Sequence, residues 1–88
     1  MKIIYIEDCG ERFWYAVKDK IDAINKHISE NSDYQCQNDL DVIKELSDIE
    51  SKRIPFHSED GEVLGSIHSA ALQIDENKYP ALIATTLY

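Results

Sequence analysis

The sequence has little of what catalysis usually requires. Its three glycines are scattered at positions 10, 61 and 65, so no glycine-rich loop can cradle a phosphate. The two cysteines, Cys9 and Cys36, lie outside any C-x-x-C pair, a pattern that reads as two free thiols and not as a stapled secreted scaffold. His27, His57 and His68 show no ligand-like spacing with each other or with the cysteines, so no metal and no other cofactor is expected. Neither G-x-S-x-G nor H-E-x-x-H occurs. The run His57-Ser58-Glu59-Asp60 gathers a histidine, a serine and two acids. Neighbours in one tight turn do not reach triad geometry, and the run reads as turn chemistry. The chain is therefore expected to be non-enzymatic.

Long apolar runs are also missing. None approaches the roughly 18–20 residues that a bilayer-crossing helix needs. The opening MKIIYIEDCGE meets acids too early for a signal peptide. A cytoplasmic location with no membrane partner is the expectation. Basic residues are scarce as well: nine Lys and Arg against seventeen Asp and Glu, a formal net charge of −8. Phosphate neutralisation needs clustered cations, so direct contact with nucleic acid is disfavoured.

What is present fits a small folded unit. Residues are 43% hydrophobic and 30% charged, and a chain shorter than about 100 residues is expected to form one domain, 1–88. KIIYI (2–6) reads as a buried strand. The next stretch supports two readings. Phe13, Val17, Ile21, Ile24 and Ile28 fall on one side of a single long helix, with Asp8 and Glu11 as a capping pair at its start. A hairpin turning at DCGE, with FWYAV (13–17) as a second strand and a shorter helix from Asp19, is the rival. The periodic match favours the long helix.

NSDYQCQN (31–38) reads as a polar connection, with Asn38 capping a second helix over 39–52. Val42, Leu46 and Ile49 would form its apolar stripe, and Asp41, Glu45 and Asp48 would project opposite. RIPF (53–56), EVLGSI (62–67), AALQI (70–74) and ALIATTLY (81–88) read as strands, with SEDG and DENKYP as turns and Pro55 at an edge. The expected fold is α+β: a two-layer sandwich of an N-terminal strand, two helices on one sheet face and a C-terminal antiparallel meander.

Charge is the most informative feature. Between His27 and Glu50 stand seven acids and one base, Lys44, and residues 54–77 add five acids with no Lys or Arg. Three carboxylates over seven helical residues, about 10 Å of axis, approach the charge spacing of one DNA strand, one per ~3.4 Å. Such a face could occupy a basic groove made for nucleic acid, although a plain solvated helix face looks much the same. The candidate partner-binding residues are Glu30, Asp33, Tyr34, Asp39, Asp41, Glu45 and Asp48, with Tyr15 as a further anchor if the long helix forms. Trp14 reads as core.

The expected function is an inhibitor or modulator of a basic, nucleic-acid-binding partner protein, by electrostatic docking or mimicry. A short, acidic, motif-free chain has the general profile of host-defence inhibitors from phages and mobile elements. The same profile fits an immunity protein plugging a cognate toxin. A self-associating structural or regulatory module, such as a homodimer joined at an exposed strand edge, is a third alternative.

Overall fold

The computed structural model describes residues 1–8, 10–30, 42–57 and 61–85. Its elements in chain order are β1 (Lys2–Asp8), β2 (Glu11–Val17), α1 (Lys20–Glu30), β3 (Val42–Leu46), α2 (Asp48–Arg53), β4 (Pro55–His57), β5 (Val63–Ser66), α3 (Ile67–Leu72) and β6 (Ala81–Thr85). A 3-10 turn over Glu76–Lys78 leads into β6. Four strands form an antiparallel sheet in the order β3-β1-β2-β6, and β4 and β5 form a separate two-stranded sheet. The mixed α+β class is borne out. Among the described residues no helix is long and apolar enough to cross a membrane.

The hairpin, and not the long helix, forms at the N-terminus. β1 and β2 pair from Lys2 opposite Val17 to Asp8 opposite Glu11, so the two expected capping residues close a strand ladder instead. Aromatic and β-branched residues suit a pleated surface, and Gly10 supplies the positive φ of +82° beside the turn. The apparent helical stripe runs across the boundary between β2 and α1. Its C-terminal part does not face the core: Ile21 is 57% exposed and Ile28 37%, while Ala23 and His27 turn inward.

Both faces of the main sheet are covered, which adds a layer to the expected sandwich. Alternation along β1 and β2 sends Ile4, Ile6, Phe13, Tyr15 and Val17 towards Ala23 of α1. It sends Ile3, Trp14 and Ala16 towards Ile67 and Ala71 of α3, where Ile54 and Phe56 also pack. Full burial of each such large side chain is worth roughly 1.5–3 kcal/mol. This is why β2 reads as an unbroken apolar run.

The expected helix over 39–52 divides in two. Val42 and Ile43 are β-branched and enter a strand beside β1, with Ile43 opposite Ile6 and Leu46 opposite Ile3. The helix starts only after Ser47, whose hydroxyl accepts from the Glu50 amide while the Glu50 carboxylate accepts from the Ser47 amide. That reciprocal capping box fixes the start of α2. The expected cap, Asn38, lies outside the described residues. AALQI (70–74) is likewise no strand: Ser66 and Ser69 form a second box that starts α3.

Candidate functional site

The division of 39–52 dismantles the expected acidic stripe. Glu45 stands on β3, an edge strand, 3.7 Å from Lys2 Nζ. Asp48 lies exposed in the first turn of α2. Glu30 ends α1 and pairs with Lys26 one turn earlier. Asp33, Tyr34, Asp39 and Asp41 lie outside the described residues, as do Cys9 and Cys36. Glu45 and Asp48 therefore sit on different elements, and no helix spaces them like phosphates. Tyr15 is no surface anchor: it is wholly buried.

Beneath α1 lies a polar cluster that the spacing of residues did not signal. Asp8, His27 and Tyr15 are each wholly buried. His27 Nε2 is 2.7 Å from Asp8 Oδ2, and His27 Nδ1 is 2.8 Å from the Tyr15 hydroxyl. A carboxylate only accepts, so Nε2 carries the proton and Nδ1 accepts from the tyrosine. Phe13 stands edge-on to the imidazole, ring centres 4.5 Å apart. Acid, imidazole and hydroxyl in line resemble a catalytic relay in type, but a sealed group cannot meet a substrate. The cluster fastens β1, β2 and α1 together.

A second histidine pair joins α2 to α3. Ser51 Oγ is 3.1 Å from His68 Nδ1 and donates to the Asp48 carbonyl at 3.1 Å. The hydroxyl proton points at the backbone, away from the imidazole, so the histidine does not act as its base. His68, expected within a strand, is a helix residue that clamps its neighbour.

The opposite face of β2 carries the open space. Two clefts of about 350 and 310 Å³ lie between the sheet and the α2–β4 segment, and Arg12, Trp14 and Ile54 line both. His57 and Phe56 complete the first; Tyr5, Lys44 and Leu46 complete the second. Tyr5 and Trp14 pack with ring centres 5.5 Å apart. Burial, together with the hydrogen bond it donates to Glu7 and that residue's negative charge, pushes the Tyr5 phenol up to about 12. It therefore stays protonated at neutral pH. Arg12 and Trp14 stand two apart on one strand, so a period of two would have put them on one face. The helical reading of 13–28 concealed that signal.

Glu50 connects this face to α2. The Lys44 ammonium beside it, with hydrogen bonds from Ser47, lowers its carboxyl below the usual value. Comparison with known proteins supplies no relative: no family, no curated protein and no solved structure matches the chain.

Proposed function

We propose that this chain docks on a basic partner protein, of the class that binds nucleic acid, and inhibits or modulates it by covering its cationic surface. The supporting observation is how the charge is deployed. All nine Lys and Arg fall within the described residues. Five of them, Lys2, Arg12, Lys18, Lys26 and Lys44, stand within ion-pair distance of Glu45, Glu7, Glu76, Glu30 and Glu50. The excess of acids that produces −8 is left to set the field around the molecule. Such a field raises the encounter rate with a cationic surface and falls away with salt. Long-range steering carries this reading, and it needs no match to phosphate spacing.

Capture from a lysate of the source cells at 50 and 500 mM salt tests it. Retained proteins should be basic and lost at the higher salt. Glu45→Lys with Asp48→Lys should slow association several-fold and change dissociation little. Acidic partners, or equal retention at both salts, would overturn the reading; a single partner held at 500 mM would favour the immunity alternative. Self-association is favoured by a different observation. Among the described residues β6 pairs only with β2, and its sequence ALIAT carries no charge to guard the other edge.

A further inference from the structure

The clefts over Trp14 run against the character of the whole molecule. The chain carries −8, yet among the described residues no carboxylate lines either cleft. Arg12 lines both, Lys44 lines one and His57 the other. The walls are otherwise mostly apolar and aromatic, and each cleft reaches the ~300 Å³ at which small-molecule sites begin.

Trp14 supplies an independent observation. Only 8% of it is exposed, and its indole Nε1 is buried without a hydrogen-bond partner among the described residues. Buried polar groups are nearly always paired, and a bare one destabilises its surroundings. Here the unpartnered donor belongs to the residue that forms the boundary between the two clefts. An acceptor brought in from outside would satisfy it.

We propose that this double cleft binds a small aromatic carboxylate, its ring against Trp14 and Ile54 and its carboxylate at Arg12. Each part of such a ligand has a counterpart. The ring meets an indole and aliphatic walls, where stacked or edge-on contact adds to simple burial. The carboxylate meets a guanidinium, whose planar fork suits two oxygens. Arg12 is only loosely held by its neighbour, with Nε 3.9 Å from Glu7 Oε1. That same Glu7 oxygen accepts from Tyr5 at 2.8 Å, which draws part of its charge away from the cleft. A neutral ring would lose the guanidinium contact. An ammonium would face Arg12 and Lys44 directly. This site is separate from docking on a basic partner, and failure of either leaves the other standing.

Trp14 is the single tryptophan, so its indole N–H gives one resonance in an ¹H–¹⁵N spectrum of the full chain. Three probes of equal shape decide the matter: 2-naphthoate, 2-naphthalenemethanol and 2-naphthylmethylammonium. Naphthoate should move the indole resonance together with the Arg12 and Ile54 amides, and bind at least tenfold more tightly than the other two. Arg12→Gln should remove that preference while the rest of the spectrum stays in place. Lys44→Gln should weaken it less, and Glu7→Gln should tighten naphthoate binding. Equal binding of all three probes, preference for the ammonium, or shifts confined to other surfaces would each overturn the proposal.

Discussion

A histidine on the inward face of a helix must find its hydrogen bonds inside the protein. His27 finds them in Asp8 and Tyr15, one from each strand of the hairpin. The arrangement is stabilising only while complete. Breaking a buried ionic contact leaves a charge without a partner and costs about 3–5 kcal/mol, whereas replacing all its members by apolar groups is often neutral. His27→Leu should therefore lose about 3–5 kcal/mol in urea unfolding, a large part of what an 88-residue domain has at roughly 0.05–0.15 kcal/mol per residue. The triple variant Asp8→Leu, His27→Leu, Tyr15→Phe should recover most of that loss. A single variant costing under about 1 kcal/mol would mean that the three residues pack independently. None of this was legible beforehand. Asp8 read as a helix cap and Tyr15 as a surface anchor, because their shared interior depends on strand pairing that no local spacing records.

At the scale of elements, the two short helices depend on their first turns, and in α3 that turn also involves a glycine. Gly65 has φ +133°, and a Cβ there would lie 2.7 Å from Ser69 Oγ. That oxygen cannot swing away cheaply, because it accepts from the Ser66 amide at 3.0 Å and donates to the Ser66 carbonyl at 2.9 Å. Gly65→Ala combines backbone strain of about 1–3 kcal/mol with loss of a cap worth about 0.5–2 kcal/mol. A total loss above about 2 kcal/mol is expected in thermal or urea unfolding. Gly10→Ala is the control: its φ is +82° but nothing lies within 4 Å of the new Cβ, so about 1 kcal/mol is expected. Equal losses at the two sites would remove the role given to Ser69. The capping boxes were present in the sequence as Ser47-x-x-Glu50 and Ser66-x-x-Ser69, a helix-start pattern and its near relative. They were overridden by Val42, Leu46 and Ile49, whose 4-then-3 spacing imitates one helix although a strand ends between them. The mixed class survived these errors because the hairpin turns and β-rich runs after position 53 mark a sheet however the middle is read.

For the whole molecule, the charge and the sheet edges act in opposition. Two-fold pairing of identical antiparallel strands about an axis normal to the sheet sets each residue opposite one on the same face. On β3 that places Lys44 opposite Lys44 or Glu45 opposite Glu45, like charges that repel. On β6, centring at Ile83 sets Leu82 against Ala84 and Ala81 against Thr85, with no charge anywhere. The edge that can pair thus belongs to a molecule whose copies repel. Two charges of −8 about 25 Å apart, a spacing set by a body 32 × 28 × 21 Å across, oppose each other in water by on the order of 10 kcal/mol before screening. The Debye length is about 30 Å at 0.01 M salt and about 3 Å at 1 M, so this opposition holds in the first case and vanishes in the second. Sedimentation at matched protein concentration should accordingly give a monomer at 0.01 M and a growing dimer fraction at 1 M. Ile83→Lys, which puts like charges face to face at the centre of the pairing, should return the 1 M sample to monomer. Lys44→Ile, which strips a guard from β3, should not lower the dimer fraction. A dimer strongest at low salt would point to ionic association, and β6 would then not be the contact.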